Sequence, residues 1–282
     1  MNIQEEIDKI INNAFREDIG TDDVTTSATI LPSVVGEAGF LVKDNGIIAG
    51  LDVTSRVFEL YDRELQFTTY VKNGDRVKYG DMIASISGRA ASILTAERTA
   101  LNFLQRMSGI ATLAGKFAEA VKHTKAVIID TRKTVPGLRV IDKLAVSQSG
   151  CRNHRQGLYD MFLIKDNHIA AAGSIKKAVE SCRKYAAQKG YDFKIEVEVT
   201  NLEQTTEALE SKADIIMLDN FELNKMKEAV NLISSKALIE ASGGVNLDTV
   251  REIAETGVDY ISVGALTHSV KAMDISLNLS LI

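Results

Sequence analysis

Between Asp130 and His168 the chain sets seven Lys or Arg (132, 133, 139, 143, 152, 155 and 165) against four Asp, while the whole chain carries a formal charge of −5. His154 and His168 fall in the same stretch. Three segments hold the cations: "DTRKTVPGLR" with Arg132, Lys133 and Arg139, "NHR" with His154 and Arg155, and "LIKDNH" with Lys165. Guanidinium forks match carboxylate and phosphate oxygens two at a time, so a local cationic surplus in an acidic chain points to a small anion. Further on, "KIEVEV" brings Glu196 and Glu198, and "DIIMLDN" brings Asp219 and Asn220. Carboxylates facing that much positive charge suit sugar hydroxyls, or a Mg²⁺ shared with substrate phosphates. "ASGGVN" supplies Ser242, Gly243 and Gly244, and "VGALTH" supplies Gly264 and His268. Glycine permits close backbone approach, and the N–H groups at a helix start bind phosphate. Cations, carboxylates and glycine turns together describe a site for a poly-anion, a phosphorylated sugar, and a metal.

Groups so far apart in sequence need a scaffold that gathers them. Six apolar runs, 126–130, 161–166, 194–199, 214–220, 237–244 and 260–265, alternate with helical segments such as "SIKKAVESCRKYAAQ" and "NLDTVREIAETG". Strand then helix, repeated, means parallel strands with right-handed crossovers. The span is short for an eight-fold barrel, so the expectation is an incomplete barrel of six strands, with the site at the strand C-terminal ends. Every strand end carries something polar or a glycine. Glu196 and Glu198 are both expected on that rim. A structural ion-pair network is the bland alternative, and it leaves the cations between the first two strands unexplained.

The first third reads as a separate α/β domain. Ile3, Ile7, Ile10, Ile11 and Ala14 recur at helical spacing. "EDIGTDDVTT" is a polar turn with helix-capping residues rather than a calcium loop, since the spacing and closing Glu of an EF-hand are missing. Asn-Gly and Ser-Gly pairs punctuate short strands over 36–90. "NGDRVKYGDMIASISG" looks like a carrier hairpin but has no exposed Lys in a carrier motif, so a plain sheet is expected. Ile93, Ala96, Ala100, Leu104, Met107 and Ala111 form a stripe of helical period, with Arg98 and Arg106 off it on what reads as a solvated face. "MDISLNLSLI" alternates like a strand that returns to this domain. The expected division is 1–115 with 270–282 as an α/β sandwich, and 116–269 as the barrel.

Composition excludes several classes. At 282 residues and 45% apolar, the chain can bury a full core. A sequence pI near 5.5 argues against a nucleic-acid binder. No apolar run approaches the roughly 18 residues of a membrane span. The acidic, amphipathic start is no signal peptide. Two distant cysteines, Cys151 and Cys182, suit a reducing cytoplasm. Cys151 reads as a packed or exposed loop thiol, and Lys143 as a surface charge.

"TAERTALNFLQRMSGIAT", "DTRKTVPGLR", "NHRQGLYDMFLIKDNHI", "EVEV", "LDN", "EASGG" and "VGALTH" occur in the order of the quinolinate phosphoribosyltransferases, and "EDIGTDDVTT" resembles their N-terminal turn. The resemblance covers essentially the whole chain. It implies an N-terminal α/β sandwich, an incomplete α/β barrel, and a dimer or larger assembly sharing its sites. The implied reaction joins quinolinate to phosphoribosyl pyrophosphate with Mg²⁺, giving nicotinate mononucleotide, CO₂ and pyrophosphate in NAD biosynthesis. By motif, Arg132, His154, Arg155 and Lys165 resemble quinolinate contacts, and Arg98 the arginine reaching in from the partner subunit. Lys133 resembles a diphosphate contact. Glu198 and Asp219 resemble the carboxylates that hold ribose hydroxyls and metal. Ser242, Gly243 and Gly264 match phosphate loops, and His268 a nearby polar contact. The family's run of glycines before "NHR" is here "SQSGCRNHR", with only Gly150 kept.

Other readings stay open from the residues. A related phosphoribosyltransferase-like protein of molybdate transport systems is one. A Schiff-base aldolase using Lys165 is another, and a dimeric anion-binding scaffold without catalysis is a third.

Overall fold

A computed structural model describes residues 2–282. In chain order the elements are α1 (Ile3–Asp18), α2 (Val24–Thr29), β1 (Val35–Val42), β2 (Gly46–Ile47), α3 (Leu51–Tyr61), β3 (Gln66–Thr69), β4 (Arg76–Val77) and β5 (Met82–Arg89). Then follow α4 (Ala90–Val121), β6 (Val127–Ile129), α5 (Arg139–Gln148), β7 (Phe162–Ile164), α6 (Asp166–Ala172), α7 (Ile175–Lys189), β8 (Ile195–Val199) and α8 (Leu202–Glu210). The last are β9 (Ile215–Asp219), α9 (Leu223–Ile233), β10 (Leu238–Ser242), α10 (Val250–Ala254), β11 (Tyr260–Ser262), α11 (Ala265–His268) and β12 (Ile275–Leu281).

Two compact units result. The first is Met1–Gly115 with Thr134–Gly150 and Leu266–Ile282; the second is Lys116–Lys133 with Cys151–Ala265. The sequence-based division differs from this at residues 266–269, which join the first unit, and at one longer segment. Residues 134–150, which carry α5, group with the first unit, where α5 packs on α1.

In the first unit a four-stranded antiparallel sheet runs in the order β12-β1-β5-β3. Its core includes Phe40, Phe58 and Phe67, with the Phe40 and Phe58 rings edge to face at 6.1 Å. "EDIGTDDVTT" does hold a cap: the Asp23 side chain accepts the Thr26 N–H at the start of α2. α4 is one helix of 32 residues, and all six positions of the expected stripe are fully buried. Burying each large aliphatic side chain of that stripe stabilises by about 1.5–3 kcal/mol. Gly109 lies where α4 meets the backbone of 271–272: an added Cβ would sit 3.1 Å from the Ala272 Cα.

Two charges lie elsewhere than the sequence suggests. Arg106, expected on a solvated face, donates from Nε and Nη2 to both carboxylate oxygens of the fully buried Asp142 at 2.8 Å. Lys143, expected at the surface, is only 1% exposed. α5 presents Asp142 and Lys143 inward, because its packing on the first unit leaves that face no water.

The second unit is a six-stranded parallel sheet, ordered β6-β11-β10-β9-β8-β7. Residues 152–153 run beside β6: the Arg152 N–H donates to the Ile128 carbonyl at 3.1 Å, and the Asp130 N–H to the Arg152 carbonyl at 3.3 Å. Strand side chains alternate, and the sequence uses the alternation fully. Val197, Val199, Ile216, Leu218, Ile239, Ala241 and Ile261 are buried on the face that helices cover. The residues between them, including Glu196, Glu198, Met217, Asp219, Glu240, Ser242 and Ser262, face inward. A charge at Val197 would break the sheet–helix core. Side-chain caps on Ser174 and Asn201 start α7 and α8.

Candidate active site

Each strand end delivers its residue by the same two-residue step. At β6, Asp130 is fully buried and its Oδ1 accepts the His154 N–H at 2.9 Å. The chain then turns through 131–133, where the Lys133 N–H donates to Thr131 Oγ1 at 3.0 Å. At β7, Lys165 caps α6; its N–H donates to His168 Nδ1 at 3.0 Å, so His168 serves its own helix start. Lys165 Nζ is ion-paired with Glu198 Oε2, from β8 next door. A paired ammonium is a poor Schiff-base nucleophile, which weighs against the aldolase reading.

At β9 and β10 the turns interlock. Asn220 takes a left-handed φ of 54°. Its N–H donates to the Ser242 carbonyl at 2.9 Å, and its Nδ2 donates to Asp219 Oδ2 at 2.9 Å. Gly243 has φ 93°, and a Cβ there would strike the Asn220 side chain and lie 2.9 Å from its backbone N. Glycine is therefore required twice over, by conformation and by space.

These ends enclose a cavity of about 500 Å³. Arg132, Lys133, His154, Arg155 and Lys165 form its basic wall, Glu198 and Asp219 the acidic wall, and Ser242, Gly243 and Gly244 the glycine wall. These ten residues, all named from the sequence, are thus brought together. Gly264 lies just past β11 and is not part of the wall. Arg98, exposed on α4, and His268, whose Nδ1 lies 2.6 Å from Ser269 Oγ, belong to the first unit. So does Arg139, whose Nε donates to Thr134 Oγ1 at 3.1 Å.

The basic wall has unmet capacity. The Nε atoms of Arg132 and Arg155 are buried without a hydrogen-bond partner. Arg155 Nη1 donates to the Met161 carbonyl at 3.2 Å. Burial, and then the charge of Arg132, push the Arg155 guanidinium below its usual range. A buried unpaired donor on a cation costs about 1–3 kcal/mol or more, and a bound dianion would relieve it.

Beneath the cations lies a floor that sequence reading placed differently. Glu196, expected on the rim, is fully buried one layer down. Its Oε2 is 3.0 Å from His154 Nε2, and Glu240 Oε2 is 3.4 Å from the same nitrogen. His154 Nδ1 accepts the Arg155 backbone N–H at 2.7 Å. Burial alone would depress the imidazole, and the two carboxylates outweigh it and raise its proton affinity. Nδ1 accepts an amide hydrogen, so the ring's N–H at Nε2 is the one that faces the carboxylates. Burial first, then the Glu240 charge, push Glu196 up to about 7. Among the described residues this is the group of three or more His, Cys, Asp or Glu whose ligand-type atoms all fall within 4.8 Å. A second cavity, of about 180 Å³, shares His154, Arg155 and Glu240 with the first and is lined by Lys194, Ile215 and Tyr260 at the strand starts.

Sequence reading missed Glu240 as a site residue and gave Asn220 no task. The first stands two residues before Ser242 in an inward position of β10, a parity that "LIEAS" carries. Asp160 was also missed; its carboxylate accepts the N–H groups of Gln156 and Gly157 at 2.6 and 2.9 Å and ties the loop behind Arg155.

Comparison with known proteins agrees over the full length. A probable nicotinate-nucleotide pyrophosphorylase [carboxylating] of Bacillus subtilis is 43% identical over 98% of this chain and 94% of its own. The chloroplastic nicotinate-nucleotide pyrophosphorylase [carboxylating] of Arabidopsis thaliana is 47% identical over 96% of this chain and 82% of its own. The crystal structure of NadC from Streptococcus pyogenes superposes with a TM-score of 0.93 at 40% identity, over 98% of this chain and 97% of that one. Family models for the quinolinate phosphoribosyl transferase N-terminal and C-terminal domains match residues 23–108 and 110–278. The chain belongs to the quinolinate phosphoribosyl transferase family.

Proposed function

We propose that this protein transfers the phosphoribosyl group of phosphoribosyl pyrophosphate to quinolinate and removes the 2-carboxylate, giving nicotinate mononucleotide, CO₂ and pyrophosphate for NAD biosynthesis. The observation that carries the reading is the pair of buried, unpartnered Nε donors on Arg132 and Arg155, facing Glu198 and Asp219 across one cavity. Two adjacent carboxylates on a pyridine ring match the first pair, and a ribose the second.

Arg132, Arg155 and Lys165 hold the two carboxylates and so aim the pyridine nitrogen at the anomeric carbon. Fixing two reactants in that way can supply about 7–11 kcal/mol. The nitrogen lone pair forms the N–C1′ bond while the C1′–O bond breaks, and pyrophosphate leaves with that electron pair. Lys133 offsets its charge. Glu198 and Asp219 place negative charge beside an electron-poor ribosyl centre. The ring nitrogen is now cationic. When the C2–carboxylate bond breaks, its electron pair stays on C2, stabilised by the adjacent cationic nitrogen; CO₂ departs, and that pair takes a proton from water. No general base is required.

The carboxylate oxygens of Glu198 and Asp219 form the hard donor set that Mg²⁺ prefers, and they would hold it directly or through water. When bound, the ion neutralises pyrophosphate charge. We further propose a cytoplasmic dimer or larger assembly in which Arg98 of one protomer completes the partner's site. Its exposure on α4 supports that role. No helix among the described residues is long and apolar enough to cross a membrane.

The test is direct. Purified protein with quinolinate, phosphoribosyl pyrophosphate and Mg²⁺ should form nicotinate mononucleotide and pyrophosphate in equal amounts. Quinolinate binding without product would instead support an anion-binding scaffold.

A further inference from the structure

His154 is one of the few wall residues whose polar atoms are all engaged inside the protein. Its backbone N–H goes to Asp130, Nδ1 takes the Arg155 N–H, and Nε2 faces Glu196 and Glu240. Its side chain is 8% exposed. Neither ring nitrogen is left to meet a substrate oxygen. Yet residues 152–155 need an anchor. They follow the stub beside β6, where Arg152 makes two backbone hydrogen bonds. They also carry Arg155, whose guanidinium keeps a buried, unmet Nε.

We propose that Glu196, with Glu240 beside it, is a positioning residue for the acceptor's carboxylates. Glu196 sits outside the main cavity wall and touches no substrate space. It holds His154 by Nε2; His154 in turn holds the Arg155 amide, and the direction of the arginine follows. The buried layer is thus a tie-rod from the barrel floor to the cationic wall. Neither Glu196 oxygen nor Glu240 Oε1 has a hydrogen-bond partner, so the ion pair with the imidazole is the grip that these carboxylates have. The inference rests on the quinolinate reading of the cavity, and it removes His154 from the direct substrate contacts.

Two variants and one spectrum test it. Glu196→Gln keeps an oxygen that accepts from Nε2–H, whereas Glu196→Leu keeps the bulk and loses the acceptor. In Glu196→Leu the KM for quinolinate, and its dissociation constant by calorimetry, should rise by about tenfold or more, the size seen when outer-shell partners of site residues are removed. The KM for phosphoribosyl pyrophosphate should stay within about twofold, and Glu196→Gln should recover most of the loss. An unchanged quinolinate KM in folded Glu196→Leu would overturn the proposal, as would equal rises for both substrates. Nitrogen-15 NMR of the wild-type imidazole should show Nε2 protonated and Nδ1 bare. An Nδ1–H ring would overturn the proposal even if the leucine variant did not fold. Wild-type protein that binds quinolinate without turnover would refute the reaction and leave this test intact.

Discussion

Replacing Arg132 by lysine separates charge from geometry. The guanidinium has a planar fork with a buried, unpartnered Nε, and the ammonium is a point charge. Arg132→Lys keeps the net charge of the wall and loses one bond of a charged pair, worth about 1.5–3 kcal/mol. At about 1.4 kcal/mol per decade, kcat/KM for quinolinate should fall between about tenfold and about 150-fold. KM for phosphoribosyl pyrophosphate should change little, because Lys133 and the glycine wall are untouched. The ligand-free protein should melt at the same temperature or higher, since a buried unmet donor has been removed. Steady-state kinetics in each substrate and thermal denaturation without ligand measure all three. Turnover within about threefold of wild type, or a loss shared equally between substrates, would refute the bidentate role.

Other substitutions probe other walls. Gly243→Ala adds a Cβ at φ 93° against Asn220, so it should weaken phosphoribosyl pyrophosphate binding more than quinolinate binding, as read from the two KM values. Arg106→Leu strands the buried Asp142 carboxylate and should cost about 3–5 kcal/mol in denaturant unfolding, with Arg106→Leu/Asp142→Leu recovering most of it. Arg98→Ala and Arg155→Ala proteins should each lose activity, and mixing them should restore part of it through hybrid dimers; no recovery would argue against a shared site. Chelating Mg²⁺ should stop turnover and adding it back should restore it, and turnover that survives chelation would dismiss the metal.

Much of this was legible because buried parallel strands are apolar runs that end in polar residues. β6 to β11 announce themselves, and Arg132, Lys165, Glu198, Asp219 and Ser242 follow as strand ends. Depth was not legible. Glu196 and Glu198 share one face of β8, and the stagger of neighbouring strands, a non-local property, decides which reaches the cavity and which the floor. Arg106 and Asp142 are 36 residues apart, so no local pattern reveals their pairing. The fate of residues 134–150 is likewise set by packing on α1, and Lys143 is buried for that reason.

The first unit is discontinuous, and its sheet closes late. β12 pairs with β1 from Gly36 with Leu281 to Val42 with Ile275, and β1 lies between β12 and β5. During synthesis the early strands emerge long before their last neighbour, and every barrel strand is made in the interval. Until then one side of β1 offers open backbone groups, a template for pairing with another chain. The unit that starts first must therefore finish last. A nascent chain stalled before Ile275 would be a target for chaperones or for self-association, however well its barrel had folded.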